Sequence, residues 1–261
     1  MFYIIVNNKN VDNYKEEIIL PLKDYSIGFD QYFTKEEIIE ISTKRKVNVM
    51  INRFMHKEDL INIKNIINDL KECVNFFFIE DLGLTNIIDK QKIVLYQSHI
   101  LNNYSATLAF YNMGIKNIVL NNDLTLAELK EIRNNTDSNL FIVSICKTNL
   151  MYSRRKLLSS YYEHINSTGE NEKQIIETVS KKPLIIKEEE KGTVIFNDKV
   201  TSLNKYLKEL KGINFIINLS NMNDEETNVI LNHYNDENLY KYLDIDDYFY
   251  NNKIIYKVGE R

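Results

Sequence analysis

The chain predicts an α/β fold, a TIM-like (β/α) barrel whose completeness the element count leaves open, with a β-hairpin insertion near residues 184–196. Three observations predict it. Short runs rich in β-branched and aromatic residues recur through the first 145 positions, and runs that stay apolar at every position mark strands buried on both faces. Between them lie stretches whose apolar residues recur at spacings of three and four, so strand and helix alternate. About seven such units precede residue 145, more than suits a small open parallel sheet with right-handed crossovers; a barrel is the natural alternative.

In order, the strand runs cover residues 3–6, 26–29, 47–51, 76–79, 93–95, 117–120 and 140–143, and the helical patterns 35–44, 57–72, 103–112 and 126–134. Thr34 followed by Glu37, and Thr125 followed by Glu128, are capping boxes that satisfy free backbone donors at a helix start. Gly114 suits the left-handed residue that ends one helix before the strand at 117–120. After an irregular stretch at 166–171, a hairpin over 184–187 and 193–196 turns at Lys191 and Gly192. A helix over 202–210 and a strand over 214–217 resume the rhythm, and weaker elements at 224–234 and 253–258 finish it. No Pro-rich or Ser-rich linker divides the chain, so one domain over 1–261 is expected.

Composition bounds the function. A chain of 261 residues, 44% hydrophobic, buries about three quarters of its unfolded surface. The net charge of −4 offers no global attraction to nucleic acid or to an anionic membrane, so any contact with RNA must be local. Cys73 and Cys146 are the two cysteines and show no CxxC or Cys/His spacing, which disfavours a disulfide framework, a structural zinc or a cysteine-held cluster and fits a reducing compartment. The first residues read as a strand rather than a leader, and no apolar stretch approaches the roughly 18 residues that span a bilayer. A soluble, cytoplasmic protein without membrane contact is expected.

Active sites of barrels gather where strands end, which selects Asn52, Arg53, Asp81, Ser98, His99, Asn121 and Glu188, together with the loop around residue 152. Asp81 either presents its carboxylate at the mouth or caps the helical turn that follows. His99 is a general base by residue type or an ordinary structural histidine, with no His or Cys partner near it in sequence. Arg154, Arg155 and Lys156 form the densest basic cluster, suited to clamping a small-molecule carboxylate or a phosphate, or else a solvated charge run. Tyr152, Ser159 and Ser160 flank it; no GxSxG elbow surrounds the serines, whose alternative role is hydrogen bonding to the loop. HExxH, P-loop and dinucleotide fingerprints are absent.

Several segments, in order over most of residues 1–220, resemble the collagenase-like peptidase family numbered thirty-two in the class of unknown catalytic type: VNVMINRFMH from Val47, NFFFIEDLG from Asn75, YQSHILNN from Tyr96, NIVLNNDLTLAE from Asn117 and, most specifically, YSRRKLLSSYY from Tyr152. The resemblance implies a barrel-like α/β domain. Members include proteases and oxygen-independent hydroxylases that act on a tRNA wobble uridine, ribosomal RNA or the ubiquinone ring, the hydroxylases through cysteine-held iron–sulfur clusters. Here no cysteine lies in or after the signature, Ser144 and Ile145 stand where a His-Gly pair is usual, and Asn122-Asp123-Leu124 stands for Arg-Glu-Leu. The loop after the second strand, which normally carries an arginine, reads as shortened to residues 30–32. In length and signature the chain is most similar to the short, cluster-free branch, which implies no cofactor and an accessory or substrate-binding role in wobble-uridine 5-hydroxylation, with tRNA and a longer cluster-bearing relative as partners. The alternatives are a true peptidase and a degenerate, non-enzymatic binding protein.

Overall fold

The computed structural model describes residues 1–96, 101–179, 181–247 and 250–251. Seven strands come first: β1 (Phe2–Ile5), β2 (Glu17–Pro21), β3 (Val47–Ile51), β4 (Val74–Ile79), β5 (Ile93–Tyr96), β6 (Asn117–Leu120) and β7 (Asn139–Cys146). Each pairs in parallel with the next. Period-two alternation then splits each run into two cores. Tyr3, Met50, Phe78, Val119 and Phe141 fill the interior, while Ile4, Val49, Phe77, Ile118 and Leu140 join the layer under the helices.

The chain next leaves the ring. Strands β8 (Asn149–Ser153), β9 (Glu172–Ile176), β10 (Pro183–Glu189) and β11 (Gly192–Asn197) form a separate antiparallel sheet in the order β8-β11-β10-β9. The hairpin read from the sequence is therefore its centre, with Gly192 at the turn so close to the Ser153 carbonyl that a side chain could not fit. Strand β12 (Val200–Ser202) returns antiparallel to β7, and β13 (Asn214–Asn218) pairs in parallel with both β7 and β1. That double pairing closes an eight-stranded parallel barrel, settling the completeness left open above. A short β14 (Ile245–Asp246) lies beside β12.

The helices are α1 (Lys35–Ser42), α2 (Lys57–Leu70), α3 (Tyr104–Asn112), α4 (Leu126–Asn134), α5 (Leu157–His164) in the insertion, and α6 (Asp224–His233). Both predicted capping boxes are formed, and Gly114 follows α3 with φ of +93°. The ring of helices is less regular than the ring of strands: β1 and β4 are followed by short 3₁₀ turns instead. Among the described residues no helix is long and apolar enough to cross a membrane.

Two predicted elements are corrected. Residues 26–29 are not the second strand; Glu17–Pro21 is, and residues 22–34 form a long loop rather than a shortened one. The apolar character of 26–29 reflects burial across the barrel mouth, where Ile27 packs on the inserted sheet and Phe29 on the barrel interior. Residues 202–210 hold no α-helix, because Ser202 Oγ accepts from Asn204 N and donates to Asn204 Oδ1 while the Asn204 amide reaches to Tyr234 O and Asp236 O, favouring a 3₁₀ turn at Asn204–Tyr206. The element expected at 253–258 and the candidates Ser98 and His99 lie outside the described residues.

Candidate functional site at the barrel mouth

The strand C-termini open on one end of the barrel, and two layers cover them. The first is the loop after β2. Asn52, at the end of β3, clamps it with a reciprocal pair, accepting from Ile27 N at 2.9 Å and donating to Ile27 O at 3.1 Å, while Ser26 Oγ donates to Met50 O at 2.6 Å. The second is the inserted sheet, whose Val194 and Phe196 pack on Ile27. Polar ties fix this lid: Glu189 accepts from Gly28 N (3.1 Å) and the Tyr32 hydroxyl (2.5 Å), and Lys187 lies 3.3 Å from Asp30, whose other oxygen accepts from Asn221 N at 2.6 Å. Burial raises the Glu189 carboxyl above its ordinary range despite the Tyr32 donor.

Beneath the lid is a cavity of about 300 Å³. Phe29, Val119 and Val143 give it an apolar floor; Glu80, Tyr96, Asn122, Cys146, Lys147 and Asn218 give it polar walls. Burial, with the neighbouring Cys146 and Glu80, drives the Tyr96 phenol upward, so it stays protonated as a donor. Burial likewise pushes up the Cys146 thiol, outweighing its contacts with Thr201, Thr148 and Asn122. A thiol held protonated is a poor nucleophile. Lys147 pairs with Glu226 at 3.1 Å.

Outside the lid a wider groove of about 660 Å³ runs between the start of α2 and the segment after β8. Phe54 and Tyr152 line both spaces, their rings stacked 11° from parallel with centroids 6.0 Å apart. Around the groove, Arg53 is paired with Asp59 and Lys191 with Glu190. Lys57, Arg154 and Lys156 form no salt bridge among the described residues, although Lys156 lies near enough to Glu188 and Glu190 to favour their charged forms, and Arg154 Nη1 meets His56 Nε2 at 3.3 Å. The local balance is cationic on a chain of net charge −4.

Of the residues singled out from the sequence, Arg53, Tyr152, Arg154 and Lys156 come together at this groove, and Asn52 and Asn121 line the cavity behind it. Arg155 does not join them: the residue is exposed, its backbone N–H donates to Ser153 Oγ, and its carbonyl accepts from Thr193 Oγ1. Asp81 spends one oxygen on Gly83 N and the other on Met55 N, both at 2.8 Å, capping a 3₁₀ turn. Ser159 donates its hydroxyl and its backbone N–H to Glu188, and Ser160 is an exposed residue of α5. Burial alone would raise the Glu188 carboxyl, but the Ser159 hydroxyl and the backbone donors of Ser159 and Leu158 hold it below the ordinary range. Glu188 thus caps α5 from the opposite hairpin. Removing it with Glu188→Ala is expected to cost about 1–3 kcal/mol and to speed amide exchange in α5 ahead of the barrel strands.

Sequence reasoning missed Phe54, Glu80, Tyr96, Asn122 and Asn218. For Glu80 and Tyr96 the available signal was position, since one directly follows β4 and the other ends β5, but a strand end does not show which of its side chains reach a shared cavity. The two cysteines do not fit the cluster that the hydroxylases of the resembled family carry. Cys73 precedes β4 at the closed end of the barrel and Cys146 ends β7 at the mouth, whereas a cluster of that kind takes four thiolates in one place. Among the described residues, no three His, Cys, Asp or Glu side chains gather as a metal site.

The family model described as peptidase family U32 matches residues 9–226. A stretch of 110 residues, 40% of this chain, is 29% identical to an uncharacterized protease of Methanocaldococcus jannaschii. That alignment spans 27% of the archaeal protein, so the chain corresponds to about a quarter of its length. No solved structure matches.

Proposed function

Because the chain belongs to peptidase family U32, we propose that it is a substrate-binding, cluster-free component of tRNA wobble-uridine 5-hydroxylation, acting beside a longer cluster-bearing relative in the cytoplasm. The observation that carries this reading is the outer groove. Lys57, Arg154 and Lys156 stand there without a salt bridge to any described residue, beside the exposed ring of Phe54. Cations that track phosphates beside a ring on which a base can stack are the two parts of a single-stranded nucleic-acid site. The cavity behind them, walled by amides, a phenol and a carboxylate, offers donors and an acceptor to the polar edge of a base taken out of its stack.

The name of the archaeal relative favours a second reading, peptide hydrolysis. That chemistry calls for an activated nucleophile or a metal-held water. The cavity thiol is held protonated, and Ser159 is tied to Glu188 away from the cavity lining.

The deciding measurement is 5-hydroxyuridine in tRNA, by mass spectrometry, in cells with and without this gene and in cells carrying Arg154→Ala. Deletion is expected to remove most of the modification and Arg154→Ala to lower it several-fold. An unchanged level in the deletion strain sinks the proposal, and cleavage of gelatin by the purified protein would return the peptidase reading to first place.

A further inference from the structure

We infer that Phe54 and Tyr152 form the door between the outer groove and the inner cavity, and that the ligand passing it is a planar ring carrying an anionic group, held by ring and anion together. Three independent observations meet at this point. Phe54 and Tyr152 are shared by both spaces, so a ligand reaching from one to the other passes their rings. The rings are nearly parallel, and Phe54 is 44% exposed, which leaves part of its ring open for stacking. Tyr152 is the fixed half of the pair: it is half-buried, and it belongs to a strand paired with the core of the lid.

The two sides of the door then differ in chemistry. Outside, Lys57, Arg154 and Lys156 form no salt bridge among the described residues and outnumber Glu58, the one groove carboxylate not in a salt bridge, so the net charge is positive. Inside, polar groups of the wall have spare capacity. Asn218 uses its side-chain oxygen on Ser220 N, and its amide nitrogen donates to no described residue. The Tyr96 hydroxyl, kept protonated by burial, also has no hydrogen-bond partner there. Both side chains are half-buried, and a ring whose edge carries acceptors can take up these free donors. A bare anion would need only the outer side and a bare apolar ring only the door; the arrangement favours a ligand with both.

The inference concerns small ligands and the purified full chain, so it stands or falls separately from the cellular hydroxylation test. The sequence contains no tryptophan, which makes Phe54→Trp a reporter at a single position, and the exposure of Phe54 allows the larger ring without disturbing the core. Uridine 5′-monophosphate is titrated against this variant while its fluorescence is followed, with benzoate, uridine and inorganic phosphate in parallel. Saturable quenching is expected from the nucleotide, with the midpoint moving up on the order of tenfold when Tyr152→Ala or the pair Arg154→Ala and Lys156→Ala is added. Unchanged thermal melting of each variant shows that the fold is intact. Saturation by benzoate alone would support the same door and assign the anion to a carboxylate. Linear quenching by every compound, or equal saturation by uridine and its phosphate, would overturn the inference, because the site would then not read ring and anion jointly.

Discussion

Phe141→Ala is expected to lower the unfolding free energy by about 3–5 kcal/mol, which for a barrel of this size lowers the melting temperature by roughly 2–4 °C per kcal/mol. Phe141 is fully buried in the barrel interior. Its ring meets Tyr3 at 5.3 Å and Phe78 edge-on at 5.8 Å, and Tyr3 meets Phe78 at 6.3 Å, so β1, β4 and β7 are locked through one aromatic cluster across the lumen. A closed ring of strands cannot collapse onto the space left by a lost ring without breaking backbone pairing, which places the cost toward the upper end. Phe141→Leu keeps most of the volume and should recover more than half of the loss. The check is thermal and urea unfolding of the purified variants; a shift below about 1 kcal/mol would show that the interior repacks freely.

That cluster also shows why so much of the barrel was legible in the sequence. Runs such as VNVMI at 47–51 and NIVL at 117–120 are apolar on both faces because one face meets the lumen and the other the helices. Caps at Thr34 and Thr125 and the turn at Gly192 are local chemistry and come through unaltered. What failed was tertiary. Residues 26–29 are as apolar as a strand, but the apolar surface they satisfy is the roof of the mouth, and Pro21 at the end of the true strand obscures it. Strands β8 and β9 read as loop because their exposed edges carry charged and polar residues.

Asparagines also serve the barrel at its closed end. Asn214 donates to Asn139 at 2.8 Å, Asn139 to Asn117 at 2.9 Å, and Asn117 to Ile93 O at 3.0 Å, a chain running across β13, β7, β6 and β5. Each stands two positions before an inward-facing residue, so period-two reading places it in the lumen. The site itself was legible only in part. Tyr152 and Arg154 were found through a basic cluster, but Phe54 and Tyr96 needed the fold to bring β3, β5 and β8 to one mouth, information that spacing along the chain does not hold.

Arg53 connects that mouth to stability, and Asp59→Ala is expected to cost roughly 2–4 kcal/mol, below the full range for breaking a buried pair because Asp59 keeps 30% of its side chain exposed. The Arg53 side chain is only 5% exposed, its Nη2 lies 2.6 Å from Asp59, and its Nη1 donates to Asp24 O at 2.5 Å. Without Asp59 the guanidinium keeps its burial and loses its counter-charge. The same carboxylate accepts from His56 N at 3.0 Å, so the start of α2 loses its cap as well. Burial would raise the Asp59 carboxyl, but the His56 backbone N–H and Arg53 together hold it below the ordinary range. A depressed folded pKa means that this stabilisation is complete above the unfolded value near ~3.9 and is lost as pH falls through the folded one. Acid unfolding of the parent should therefore steepen below about pH 4, and the difference between parent and Asp59→Ala should shrink there. Asp59→Asn keeps a hydrogen-bond acceptor and should fall between the two, whereas pairing Arg53→Met with Asp59→Leu should recover much of the loss, since neither charge is then stranded. Arg53 immediately precedes Phe54, so the variants that strand it should also weaken stacking at the door. If Asp59→Ala lost stability while ligand quenching at Phe54→Trp stayed unchanged, the buried pair would hold the scaffold without positioning the site.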